Sequence, residues 1–296
     1  MDKWIVYILL AVCLPSYGQA NGNKQVKQGT DSLQNDTVMP YSVDSLVHTY
    51  MESGRVKSEN GDKLGAIAEY NKVIEIDSNY AVAYYKRGNQ NADLGKNEDA
   101  ITDYNKAIEI NPDYAFAYSN RGTVKAALGD HTGAITDYNK AIEIKPDFAL
   151  AYSNRGKAKA DLGNNIEAII DYDKAIEINP NYAIAYSGRG TVKAALNNNT
   201  GAIADYDKAI EINPNYPLAY TNRGKAKADL DNNIGAIADY DKAIEINPNY
   251  AIAYYNRGNL KSDMGDFEGA LADYNKTLKI KPDHITREKS LLIGWR

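Results

Sequence analysis

The sequence is poor in the residues that carry most protein chemistry. Its 296 residues include one cysteine and three histidines. Cys13 has no second thiol to pair with, which excludes a disulfide framework and a Cys-based metal site. His48, His131 and His284 are far apart, with no His-x-x-x-His spacing, so no convergent metal-ligand set is expected. No Gly-x-Ser-x-Gly turn and no phosphate-cradling Gly-rich loop with Lys-Ser/Thr occurs. The chain also lacks a basic excess. Its formal net charge of −5 argues against general nucleic-acid binding, which normally shows a basic footprint. Carboxylates are plentiful but recur with a fixed period, which is not how an active site is built. These absences give no catalytic residue, no metal and no cofactor, and the chain reads as a non-enzyme.

The N-terminus differs from the rest. Met1-Asp2-Lys3 is a short charged start, Trp4 to Leu14 is an apolar run of 11 residues, and Pro15 to Ala20 is a small-residue exit. That layout is a secretory signal peptide over residues 1–20, and the run falls short of the about 20 residues a membrane span requires. Cleavage is expected after Ala20 or Gly18 and leaves no cysteine and no membrane span. Leu10-Ala11-Val12-Cys13 resembles a bacterial lipoprotein box, but Val12 is bulky where that pattern has a small residue, so lipid anchoring is disfavoured. Residues 21–43 are polar without an apolar period and read as a flexible linker. The expected location is outside the cytoplasm of a bacterium, periplasmic or secreted.

From residue 44 to residue 284 a period of 34 takes over. Tyr50, Tyr84, Tyr118, Tyr152, Tyr186, Tyr220 and Tyr254 keep this spacing. So do the Gly series from Gly54 to Gly258, the Ala series from Ala66 to Ala270 and the Tyr series from Tyr70 to Tyr274. Prolines follow at 112, 146, 180, 214, 248 and 282, with Ser78 in the first copy. Each copy contains two runs of helical periodicity separated by a turn. In the copy at 149–182, Gly163-Asn164-Asn165 makes the turn and Pro180 ends the second run. Asn197 and Asp231 replace Gly at the turn, and both tolerate a left-handed backbone.

An aromatic at position 4, Gly at 8, Ala at 20, an aromatic at 24, Ala at 27 and Pro at 32 resemble the tetratricopeptide repeat. The resemblance covers seven copies, 47–80, 81–114, 115–148, 149–182, 183–216, 217–250 and 251–284. It implies an all-α fold, a right-handed α-solenoid of seven helix-turn-helix repeats. Residues 285–296 overlay the start of an eighth first helix and are expected to form a short capping segment. Leu291, Leu292, Ile293 and Trp295 in that segment could alternatively dock a second subunit, giving a weak homodimer in place of a monomer.

The chain departs from the family pattern at position 7, which is Arg87, Arg121, Arg155, Arg189, Arg223 and Arg257, and at position 11, which is mostly Lys. Position 23 is acidic in every copy. Only the first copy lacks the arginine, having Ser53, which suggests that each arginine answers the acid of the copy before it. The expected structural pairs are Glu69 with Arg87, Asp103 with Arg121, Asp137 with Arg155, Asp171 with Arg189, Asp205 with Arg223 and Asp239 with Arg257. The position-11 lysines are read as a solvated edge.

The resemblance further implies a concave surface lined by positions 2, 5, 9, 12 and 13 of the first helices. The candidate partner-binding residues are Tyr85, Asn89 and Asp93; Ser119 and Thr123; Ser153, Lys157 and Asp161; Ser187 and Thr191; Thr221, Lys225 and Asp229; and Tyr255, Asn259 and Asp263. Hydroxyls, amides and paired charges suit an extended peptide, whose backbone needs hydrogen-bond partners. Tyr85 and Tyr255 are read as aromatic anchors. The expected function is an interaction scaffold for a protein or peptide. Binding of glycan or cell-wall fragments in the same groove is the alternative.

Overall fold

The computed structural model describes residues 42–282. The expected export signal, Cys13, nearly all of the expected linker, His284 and the expected capping segment lie outside them. Fourteen helices follow one another without a strand among the described residues: α1 (Val43–Glu59), α2 (Lys63–Ile76), α3 (Ala81–Asp93), α4 (Asn97–Ile110), α5 (Ala115–Ala127), α6 (His131–Ile144) and α7 (Ala149–Asp161). The order continues with α8 (Asn165–Ile178), α9 (Ala183–Ala195), α10 (Asn199–Ile212), α11 (Pro217–Ala228), α12 (Asn233–Ile246), α13 (Ala251–Asp263) and α14 (Phe267–Ile280).

Local chemistry sets the boundaries. The turn inside each hairpin needs one left-handed residue, which is Gly61, Gly95, Gly129, Gly163 or Gly265. The two substitutes, Asn197 and Asp231, hold the same conformation at φ 61 and 59°. The next residue often caps the second helix: Asp62, Asp130, Asn198, Asn232 and Asp266 each accept the amide of the Gly at N3.

Odd and even helices pair as antiparallel hairpins, and each even helix then packs on the following odd one. The odd helices also touch each other in sequence, from α3 with α5 through to α11 with α13, while the even helices make no comparable contact. The solenoid therefore curves with its odd helices inside, and these line the concave face. Its core repeats along the chain. Ala202, Tyr206 and Ala226 form one buried cluster, and Ala236, Tyr240 and Leu260 form another. The Gly at position 8 makes room for these rings: a Cβ on Gly190 would lie 2.9 Å from the Tyr206 ring.

Burial of so many tyrosines gives the fold an alkaline limit. Desolvation pushes Tyr70, Tyr138 and Tyr206 up to about 12. A tyrosine raised in the folded state contributes stability that is complete below the unfolded value of about 10 and is lost as pH rises through the folded value. Unfolding is therefore expected between about pH 10 and 12, in step with tyrosinate absorbance near 295 nm. Tyrosinate absorbance developing fully around pH 10 while helicity persists would contradict this account.

Candidate functional site

The arginine row is built into the scaffold, but its pairing differs from the sequence expectation. Glu69–Arg87, Asp103–Arg121, Asp137–Arg155, Asp171–Arg189, Asp205–Arg223 and Asp239–Arg257 are not the pairs formed. Each arginine grips the acid of its own hairpin: Arg87 with Asp103 at 2.5 Å, and Arg121 with Asp137, Arg155 with Asp171 and Arg189 with Asp205 each at 2.6 Å. Arg223 with Asp239 and Arg257 with Asp273 repeat the contact at 2.5 Å. The reason is antiparallel geometry. Positions 7 and 23 lie equally far from the turn at position 15, so they face each other across one hairpin.

The arginine's remaining nitrogen does cross between repeats. Nη1 donates to position 25 of the preceding copy: Asn71, Asn105 and Asn139, then Asp173, Asp207 and Asp241. The first copy has Ser53 in place of the arginine. There Glu69 takes Lys57 at 2.5 Å and Lys72 at 3.1 Å, and the hydrogen bond from Lys57 is the main cause holding its carboxyl below the usual value.

The position-11 lysines are not a solvated edge either. Lys125, Lys159, Lys193, Lys227 and Lys261 donate to the other oxygen of the same buried aspartate at 2.7–3.0 Å. Asn91 takes that role in the second copy. Each arginine also lies over its position-4 tyrosine, as Arg155 does 5.3 Å from the Tyr152 ring centre.

On the concave face the sequence-expected residues divide. Ser119, Ser153, Ser187 and Thr221 are buried, so position 5 does not line the groove in copies three to six. Behind it stands the aromatic at position 34: burial pushes the Tyr182 and Tyr216 hydroxyls up, and Ser153 and Ser187 beside them oppose that shift. Phe148 has no hydroxyl to offer, and Ser119 Oγ is left buried without a partner. Thr221 Oγ1 is also unpartnered. Ser119→Ala should therefore leave stability unchanged or raise it by up to about 1 kcal/mol, whereas Ser153→Ala should lower it by about 1 kcal/mol. Urea midpoints of the two variants check this, and equal losses would refute it.

Tyr85 is not a free anchor. Its ring lies 4.9 Å from Tyr114 and 6.1 Å from Tyr104, and its hydroxyl accepts from Asn120 at 3.2 Å. Tyr255 is half-buried, 6.1 Å from Tyr274. Position 9 splits in two. Asn89, Thr123, Thr191 and Asn259 accept the position-24 tyrosine hydroxyl of their own copy. The first three also accept an amide from Asn120, Asn154 and Asn222 of the next copy, which ties neighbouring repeats together. Lys157 and Lys225 are exposed instead, and Lys157 meets Asp161 at 2.8 Å. Asp93, Asp161, Asp229 and Asp263 are exposed.

Two features of this face were missed by the residue-by-residue reading. Position 2 is apolar in copies two to seven. Val82, Phe116, Ile184 and Leu218 are 38, 41, 51 and 39% exposed, while Leu150 and Ile252 are half-buried. The signal was in the sequence, because this position keeps its apolarity while changing its identity. The second feature is charge along the hairpin turns, where Asp62, Asp93, Asp130, Asp161, Asp229, Asp231, Asp263 and Asp266 are exposed and Lys96 is the one exposed lysine among them. The outer face carries exposed Ile166 and Ile170 on α8. Among the described residues, no cluster of three or more metal-ligating side chains occurs, and no helix is long and apolar enough to cross a membrane.

Comparison with known proteins agrees with this architecture. A family model described as TPR repeat matches residues 88–129, 124–163, 190–231 and 231–265. Models described as tetratricopeptide repeat match 149–182 and 251–284, and 47–80. The search of curated proteins returned no match. A tetratricopeptide repeat protein from Parabacteroides merdae superposes with TM-score 0.67 at 21% identity, covering 84% of this chain and 97% of its own. PilF of Pseudomonas aeruginosa has TM-score 0.62 at 19% identity, with 73% and 97% covered. The MamA protein has TM-score 0.50 at 27% identity, with 63% and 96% covered. Helical hairpins repeating every 34 residues, together with these sequence matches, establish that the chain belongs to the tetratricopeptide repeat family.

Proposed function

We propose that this chain is a non-catalytic interaction scaffold, exported from a bacterial cell, whose concave face holds an extended segment of a partner protein. The observation that carries the reading is the concave face itself. One exposed or half-exposed apolar side chain recurs on each of six successive first helices, and the hairpins behind them already have their own buried cores. Solvent-facing apolar side chains in a continuous row are costly to maintain without a partner to cover them. A peptide is favoured over a glycan because Tyr85, on which stacking against a sugar would depend, is packed between Tyr104 and Tyr114. Export rests on residues 1–20 alone.

Site-specific photo-crosslinking tests the docking face. A benzophenone residue at Thr191, inside the curve, should form a discrete adduct with an envelope protein, and one at Ile166, on the outer face, should not. Adducts from Ile166 alone would place the partner on the wrong side. N-terminal sequencing of the protein recovered from the periplasm or medium should begin at Asn21 or Gln19. A cytoplasmic protein beginning at Met1 would remove the export reading.

A further inference from the structure

Resting on the concave face as the docking surface, we infer that the partner segment is a polyproline-II-like chain with an apolar residue every third position and basic residues between them. Two independent rows support this. The apolar row at position 2 has six rungs, Val82, Phe116, Leu150, Ile184, Leu218 and Ile252, one on each first helix from α3 to α13. Packed helices lie about 8–10 Å apart, so the rungs repeat at about that interval along the curve. A polyproline-II helix advances about 3.1 Å per residue with three residues per turn, so every third side chain points the same way after about 9.3 Å. A β-strand covers a similar distance in three residues, but its side chains alternate with period two and every other rung would be missed. The polyproline-II geometry is the one that keeps step with six rungs.

Charge sets the other side. Position 2 lies at the start of each first helix and the hairpin turns at its end, about 16 Å away for the 11 residues to position 13. The turn rim carries eight exposed aspartates, Asp62 included, against Lys96. The floor between holds Lys86, Lys157 and Lys225; Lys157 and Asp161 neutralise each other, which leaves the other rim aspartates as the acidic excess. A chain lying mid-floor places its apolar side chains on the ladder and lets long lysine or arginine side chains span the remaining distance to the rim. The three faces of a polyproline-II helix supply that arrangement as a triplet: apolar, basic, and one open to solvent.

A fluorescein-labelled peptide of about six Pro-Leu-Lys triplets, matching the rungs, tests the inference by anisotropy with the full chain. Two controls accompany it: Pro-Leu-Glu triplets, and a peptide of the same composition with its leucines out of the three-residue register. The Leu/Lys triplet peptide should bind at least about tenfold more tightly than either control. Ile184→Ser with Leu218→Ser should weaken it about tenfold at both about 0.05 M and 0.5 M salt. Asp229→Asn, Asp231→Asn and Asp263→Asn together should weaken it at low salt only, because screening already removes their contribution at high salt. Circular dichroism establishes that both variants are folded.

Equal binding of the out-of-register peptide overturns the three-residue spacing, and equal binding of the Glu peptide overturns the basic partner. Binding of none of them overturns the inference as a whole. A Thr191 adduct obtained alongside that failure leaves the concave docking face standing and removes the partner chemistry; loss of both removes both.

Discussion

Asp171→Ala will destabilise the protein by about 3–5 kcal/mol, while Asp161→Ala, ten residues earlier, will cost about 0–1 kcal/mol. Both aspartates meet cations of the same stretch, Asn154-Arg155-Gly156-Lys157-Ala158-Lys159-Ala160-Asp161-Leu162. Their surroundings decide the outcome. Asp161 and Lys157 are an exposed i,i+4 pair with side chains 36 and 62% exposed, where water and salt screen most of the attraction. Asp171 is 2% exposed and receives Arg155 at 2.6 Å and Lys159 at 2.7 Å. Removing it leaves two half-buried cations facing each other with one neutral acceptor, Asn139. The loss is mainly the penalty of stranded charge, so Asp171→Leu with Arg155→Met and Lys159→Leu should recover most of it. Urea unfolding measures all three variants. Losses for Asp171→Ala and Asp161→Ala within about 1 kcal/mol of each other would show that the caged carboxylate does not hold the hairpin.

Tyr206→Ala is expected to cost about 3–5 kcal/mol, and Tyr206→Phe only about 0.5–1 kcal/mol. The ring is 1% exposed and fills the space between its own hairpin and the next first helix, against Ala202, Ala226 and Ile203. Its hydroxyl makes one long bond, to Thr191 at 3.3 Å, which is why the phenylalanine change is mild. Small neighbours made room for this ring, and they cannot collapse into the cavity left by alanine. The reverse substitution tests the same contact. A Cβ on Gly190 would meet the ring at 2.9 Å and the Ala202 carbonyl oxygen at 3.2 Å, and the backbone atom cannot swing aside. Gly190→Ala should therefore be destabilising despite the better helix propensity of alanine. Because Tyr206 couples one repeat to the next in a nearest-neighbour array, hydrogen exchange should show Tyr206→Ala loosening α9 to α11 first. Uniform loosening of all fourteen helices would contradict nearest-neighbour coupling.

Much of this is legible in the sequence alone. The 34-residue period, two helices per copy, the left-handed turn at Asn197 and Asp231, and the close approach at the position-8 glycines are all local statements. The pairing of the arginines was legible too, but through the wrong symmetry. Counting copies matched each arginine to the previous acid. Folding a hairpin about its turn matches it to the acid of its own copy, and only Nη1 reaches back. The groove assignment failed at position 5 for a different reason. Helical spacing identifies a face of a helix, whereas the aromatic at position 34 that closes over that face comes from another part of the hairpin.

The sequence by itself determined the repeat, its helices and its turns, because these depend on interactions within a few residues and on a pattern copied seven times. Tertiary structure alone decided which polar groups are enclosed and which remain open to a partner. Lys157 and Lys159 stand two residues apart in one helix, yet one lies exposed in the groove and the other caps a buried carboxylate. That difference is set by which neighbouring helix each faces, since burial depends on what packs against a side chain from outside its own helix.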